Sequence, residues 1–151
     1  MLKEKSITIT DRNGPLHFKI REMPATKLEA WVMRAVLVLA EAGSDIPADA
    51  GVEGAAAFLA KHGLAALGRV NYEKAKPLLD EMLSACCFRV IDKLEEAVTP
   101  EGADAYIGDM KTLLTLRREA LAINLGFFSS GSPSDSPEKP NTARISARSA
   151  G

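Results

Sequence analysis

The sequence from residue 6 to residue 21 reads Ser6-Ile7-Thr8-Ile9-Thr10-Asp11-Arg12-Asn13-Gly14-Pro15-Leu16-His17-Phe18-Lys19-Ile20-Arg21. Polar and apolar residues alternate in both halves of this stretch, and a period of two places every second side chain on the same face of a β-strand. Asn13-Gly14 supplies the positive φ angles of a tight hairpin turn. Pro15 would stand at a strand start, where its missing N–H costs least. The stretch therefore predicts an N-terminal β-hairpin.

Helical periodicity dominates the rest of the chain as far as residue 128. One helix is predicted over about residues 25–42 and ends at Gly43, and a second, apolar around most of its circumference, over about 52–68. A third follows Asn71 as N-cap, with Pro77 either marking its start or separating its first turn. A fourth begins at Thr99-Pro100, with Gly108 as a candidate break, and runs to about Leu125. Residues 88–91 fit a helix end and a short strand equally well.

The composition changes abruptly at Ser129, where a Ser/Pro-rich segment with few large apolar residues begins. Such a segment buries too little surface to offset the entropy lost on ordering, so we expect residues 129–151 to form a disordered tail. Residues 1–128 are predicted to form one globular domain. Its expected fold class is α+β and predominantly α-helical, with an N-terminal β-hairpin followed by about four helices.

The overall charge argues against two kinds of partner. The chain has 151 residues and a formal net charge of −1, with 26% charged residues. Proteins that bind nucleic acid through its phosphates usually carry a basic excess, so neither nucleic acid nor an anionic membrane surface is an expected partner. No apolar stretch approaches the roughly 20 residues of a membrane span. The charged start, Met1 to Ser6, is unlike a signal peptide, so we expect an intracellular protein.

Candidate reactive residues do not combine into a recognisable motif. Cys86 and Cys87 are adjacent, which disfavours a disulfide between them, and they lack the further ligands of a zinc site. His17 and His62, the two histidines, belong to no nucleophile–base pattern. We therefore predict no catalytic, cofactor-binding or metal-binding residue and no enzyme activity.

The charged pairs have ordinary interpretations. Asp80-Glu81 and Glu95-Glu96 are interpreted as solvated helix surface. Arg117-Arg118 would point about 100° apart on a helix, so they do not form one basic patch. A small DNA-binding regulator is accordingly a minor alternative.

Large apolar residues indicate protein binding instead. Trp31 is interpreted as core. Phe127-Phe128, at the border of the predicted tail, are candidates for partial exposure, and exposed aromatic residues often mark protein-binding surfaces. The second helix is the other candidate surface. The predicted partner-binding residues are Phe58, Leu59, Phe127 and Phe128.

Three segments resemble the bacteriophage tail assembly chaperone family over roughly residues 6–128. Phe18-Lys19-Ile20-Arg21-Glu22-Met23-Pro24-Ala25-Thr26, leading into a Trp-bearing helix, is similar to the N-terminal part of these proteins. Met110-Lys111-Thr112-Leu113-Leu114-Thr115-Leu116-Arg117 through Asn124-Leu125-Gly126-Phe127-Phe128 is similar to their last helix. Lys76-Pro77-Leu78-Leu79-Asp80-Glu81-Met82 is similar in kind.

The resemblance implies a non-catalytic protein of a long-tailed phage. Members of that family bind the tape measure protein and tail tube subunits in the host cell cytoplasm before the tube polymerises. They are absent from the mature virion, and many are made in two lengths through a ribosomal frameshift. A homo-oligomer is a further expectation, because several copies would supply avidity. The main alternative is a structural or adaptor protein that stays in the phage particle.

Overall fold

The structure is a computed structural model, and it describes residues 1–43, 51–67 and 70–129. The strands are β1 (Glu4–Asp11), β2 (Gly14–Arg21), β3 (Cys87–Ile91) and β4 (Leu94–Ala97). The helices are α1 (Ala25–Glu41), α2 (Gly51–His62), α3 (Leu64–Leu67), α4 (Tyr72–Cys86), α5 (Pro100–Ala103) and α6 (Met110–Ser129). Apart from Ser129, the predicted disordered tail lies outside the described residues.

The predicted fold class, helices added to a single hairpin, is wrong because the strands form a four-stranded antiparallel sheet in the order β1-β2-β3-β4. The N-terminal hairpin is confirmed: β1 pairs with β2, and Ile7 lies opposite Phe18. A second hairpin, β3–β4, adds to the other edge of β2, where Ile20 lies opposite Cys87. Residues 88–91, left open between helix and strand, belong to β3.

The two hairpin turns differ in how they reach positive φ angles. In the first, Gly14 has a φ of 105°, whereas Asn13 does not take a positive φ. In the second, both turn residues do: Asp92 has a φ of 48° and Lys93 a φ of 75°. Two consecutive positive φ angles characterise a type I′ turn, whose twist matches that of the flanking strands. Asp92 is a common first residue of such a turn, but Lys93 stands where Gly is usual, so the sequence signal is incomplete.

One face of the sheet packs against the helices and forms the core. Leu16, Phe18 and Ile20 alternate along β2 and are all buried, while His17 between them is exposed, as the alternation predicts. Trp31 of α1 is completely buried, and its indole Nε1 donates a hydrogen bond to the carbonyl oxygen of Leu78 at 2.9 Å. The prediction that Trp31 belongs to the core is confirmed.

Several helix boundaries differ from those predicted. The second helix ends at His62, and Gly63, with a φ of 58°, turns the chain into the short α3. Pro77 lies inside a continuous α4, whose Asn71 cap accepts a hydrogen bond from the backbone N–H of Glu73. Thr99 caps only a four-residue helix, and α6 starts anew at Met110. Within the described ranges, no helix has the length and apolar character needed to cross a membrane.

The solvent face of the sheet carries a network of charged side chains. Glu95 of β4 accepts hydrogen bonds from Lys19 and Arg21 of β2, both at 2.8 Å, and Arg21 also donates to Glu4 of β1 at 2.6 Å. These hydrogen bonds from Lys19 and Arg21 lower the pKa of Glu95. The interpretation of Glu95 as solvated helix surface was therefore wrong: it is a strand residue that joins β4 to the first hairpin.

The other acidic pair also has partners. Asp80 accepts a hydrogen bond from Arg117 of α6 at 3.0 Å, and Glu81 accepts two from the guanidinium of Arg34 of α1, at 2.6 and 2.9 Å. Both carboxylates therefore join α4 to neighbouring helices. The interpretation of this pair as unpartnered helix surface is corrected in the same way.

The carboxylate of Asp11 joins the first hairpin to the start of α6. It accepts hydrogen bonds from the backbone N–H groups of Asn13 (3.0 Å), Gly108 (2.9 Å) and Asp109 (3.0 Å), and from the hydroxyl of Thr112 (2.7 Å). Burial would raise the pKa of Asp11, but these four hydrogen bonds outweigh it and hold that pKa far below its ordinary value of 3.8. Asp11 thus stays charged and holds the N-terminal end of α6 against the hairpin turn.

We expect Asp11→Asn to lower the thermal unfolding midpoint by about 5 °C or more at pH 7, because an amide presents donors to donors at this site. The sign of the pH dependence follows from the depressed pKa. The stability that Asp11 contributes is fully present when the pH is above the ordinary pKa of an aspartate. It is lost as the pH falls toward the lower pKa that Asp11 has in the folded state. Thermal unfolding between about pH 2 and 7 should show this loss in the wild type and a weaker one in Asp11→Asn. The exposed Asp104→Asn is the control, and an equal effect there would contradict the prediction.

Candidate functional site

A groove runs between the α2–α3 turn and the outward side of α6. Gly63, with a positive φ, lies between α2 and α3, and a cavity of about 570 Å³ separates this turn from α6. Half of the residues that line it are alanine or glycine; the lining comprises Ala60, Lys61, His62, Gly63, Ala65, Arg118, Glu119, Leu121, Ala122 and Gly126. Because the distance between packed helices depends on the side chains at the contact, such a lining allows close approach of another backbone.

A second groove, of about 400 Å³, lies between the start of β1 and the same helix. It is lined by Lys3, Glu4, Lys5, Glu119, Ala122 and Ile123. Glu119 and Ala122 line both grooves, so the two form one continuous surface across α6. We call the residues that line the two grooves the α6 face.

The charges of the α6 face lie at its rim. Lys5 donates to Glu119 at 2.7 Å, which links β1 to α6, but both side chains are partly exposed and such a pair contributes little to stability. Lys61 and Arg118 are exposed, and neither forms a salt bridge with another described residue. The rim of the larger groove therefore presents two cations around a surface of small and apolar side chains.

The four predicted partner-binding residues have different environments. Phe58 is partly buried, with its ring centroid 4.4 Å from that of His62. Phe127 is 63% exposed and meets the ring of Phe128 edge-on at 5.6 Å. Leu59 is completely buried in the core, so its assignment to a binding surface is corrected. The other three stay candidates at the margin of the α6 face, next to its members His62 and Gly126.

The groove residues on α2 and α3 lie within the second predicted helix, which was a candidate surface, but those on α6 were not predicted. Ala122 and Gly126 lie one turn apart on the outward side of α6, but a small residue on an amphipathic helix carries no signal of its own. The one available signal was the number of alanines and glycines in residues 51–66, which indicates close helix contacts. That signal does not show which contacts a partner would make.

Of the candidate reactive side chains, His62 lines the larger groove, His17 lies on the sheet, and both cysteines are buried. Burial raises the pKa of the Cys86 thiol, and it raises the pKa of Cys87 to about 12, so neither is a thiolate at neutral pH. His17 is on the solvent side of the sheet, 3.0 Å from the hydroxyl of Thr8. In the described part of the chain, no group of three or more His, Cys, Asp or Glu side chains is arranged to hold a metal ion. The chemistry that the α6 face offers is therefore apolar contact bordered by charge.

No protein-family model matches this chain, and neither does any curated protein or solved structure. The resemblance to tail assembly chaperones therefore depends on the three segments quoted above.

Two alanine substitutions separate core residues from surface residues at this site. We expect Leu59→Ala to lower the free energy of unfolding by about 2–5 kcal/mol, because it removes a fully buried side chain and leaves a cavity. Phe127→Ala should change it by less than about 1 kcal/mol, because most of that ring is already in water. Urea unfolding followed by circular dichroism measures both. Equal losses in the two variants would show that the burial of Leu59 or the exposure of Phe127 is wrong.

Proposed function

We propose that this protein is a phage tail assembly chaperone that binds apolar helical segments of the tape measure protein, and tail tube subunits, through the α6 face. It acts in the host cell cytoplasm, without catalysis, and does not remain in the mature virion. The observation that carries the proposal is the groove of about 570 Å³ along α6, lined mainly by small and apolar residues. An amphipathic helix laid into such a groove buries its apolar side without further chemistry.

The shape of the larger groove supports a helical ligand. Ala60, Ala65, Ala122 and Gly126 leave space where larger side chains would fill the groove. Leu121 lines the groove although it is only 5% exposed, and Phe127 adds exposed apolar surface at the end of α6. A tape measure protein is long and helical, and its apolar segments would aggregate if left uncovered. Covering one segment at a time is a task that this surface can perform.

The charges at the rim favour one kind of segment. Lys61 and Arg118 border the larger groove. Rim charges mainly affect the rate of association and the choice of partner. We therefore expect the preferred segment to carry acidic residues beside its apolar stripe and its binding to weaken as salt increases.

The test is co-expression with the tape measure protein of the same phage, in which the wild-type chain is compared with Ala122→Glu. Ala122 is exposed and lines both grooves, so the added carboxylate should leave the fold intact while placing a charge in the apolar contact. We expect wild type to raise the soluble fraction of the tape measure protein and Ala122→Glu to bind it at least about tenfold more weakly.

The matched control is Ala25→Glu, the same substitution at an exposed alanine at the start of α1. It should behave as wild type in pull-down and solubility measurements. No association between the wild-type chain and the tape measure protein would refute the proposed function. Binding that Ala122→Glu leaves unchanged would instead place the contact elsewhere on the molecule. Mass spectrometry of purified particles separates a chaperone from an adaptor, since only the adaptor remains in the virion.

A further inference from the structure

The solvent side of α1 carries an apolar stripe that is distinct from the α6 face. Leu37 is 67% exposed and Met33 is 51% exposed, although both are large apolar residues. Ala30 and Ala40, on the same side of the helix, are exposed as well. The four residues follow one another at steps of three, four and three, which is the spacing of the contact positions in a coiled coil. The stripe thus has the geometry of a seam for a second helix.

Charged residues flank this stripe on one side at seven-residue intervals: Lys27, Arg34 and Glu41. Arg34 is engaged with Glu81 of α4, and Glu41 accepts a hydrogen bond from Lys74 of the same helix. Lys27 forms no salt bridge among the described residues. Because the row begins with a cation and ends with an anion, its two ends are complementary to a copy that runs in the opposite direction, while the central Arg34 of each copy is already paired with its own Glu81.

We propose that α1 pairs with α1 of a second copy of this chain, antiparallel, about a two-fold axis near Arg34. In this arrangement Leu37 packs against the partner's Met33, and Ala30 packs against the partner's Ala40. Lys27 faces the partner's Glu41, and the symmetry repeats every contact. Antiparallel pairing also places the positive end of each helix dipole beside the negative end of the other.

This pairing goes beyond the proposed function, because it concerns the chain alone. The seam is short, with two large apolar side chains per copy, so we expect a reversible dimer with a Kd on the order of 10–100 μM. A dimer would present two copies of the α6 face. Two modest contacts to one long partner would then act together through effective concentration.

The first test measures self-association of the full chain by sedimentation equilibrium from roughly 5 to 500 μM, a range that brackets the expected Kd. We expect Leu37→Glu to weaken the dimer at least tenfold, because it places two carboxylates in the seam. Leu94→Glu is the matched control: Leu94 is 74% exposed on β4, and its substitution should leave the dimer unchanged. Circular dichroism confirms that both variants are folded. A wild type that is monomeric over the whole range, or a dimer that Leu37→Glu does not weaken, would overturn the proposal.

The second test distinguishes antiparallel from parallel pairing with Met33→Cys and Leu37→Cys, one of them carrying a mass tag. The native thiols are both buried, so the introduced cysteines should react first under mild oxidation. Antiparallel pairing brings position 33 of one copy next to position 37 of the other. A mixture of the two variants should therefore form the mixed disulfide faster than either variant links to itself. Faster self-linking of each variant would show parallel pairing and overturn the proposed arrangement.

Discussion

The attachment of α6 to the N-terminal hairpin is the constraint on which the remaining structure depends. Asp11 holds the first turn of α6 through the backbone of Gly108 and Asp109 and the hydroxyl of Thr112. Near the other end of the helix, the side-chain oxygen of buried Asn124 accepts a hydrogen bond from the backbone N–H of Met23, at 2.8 Å. Buried polar groups are costly unless they are satisfied, so these bonds specify one position of the helix. The hairpin and α6 therefore behave as one frame.

This frame positions the α6 face. One side of α6 packs into the core beneath the sheet, and the outward side carries Ala122 and Gly126. The start of β1 borders that side because the hairpin is held in place, and α2 reaches it because Leu59 is buried in the common core. Gly63 then turns the chain so that α3 completes the groove. A surface of small and apolar side chains bordered by charged ones suits recognition by shape, apolar contact and charge.

The second hairpin depends on the first one in the same way. Its outer strand, β4, is exposed along its whole length, so burial contributes little to its position. Hydrogen bonds from Lys19 and Arg21 to Glu95 join β4 to β2, and the Arg21 guanidinium also lies 4.7 Å from the centre of the Phe88 ring. Each exposed ion pair is weak alone, but together they favour one register of the strand. The charges on this face are thus part of the fold.

Local signals were sufficient for the first hairpin and for the starts of three helices. Strict alternation and Gly14 predict the hairpin, and Pro24, Asn71 and Thr99-Pro100 mark helix starts through effects that act within a few residues. The second hairpin could not be predicted in this way. Its turn uses Asp92-Lys93 in place of Asn-Gly, and Leu94 to Ala97 are residues that favour a helix. They form a strand because they pair with β3, which itself pairs with the edge of β2, and because Glu95 binds Lys19 and Arg21 of β2, which lie more than 70 residues away in sequence. The α6 face could not be predicted from local sequence either, since segments distant in the sequence meet there only after folding.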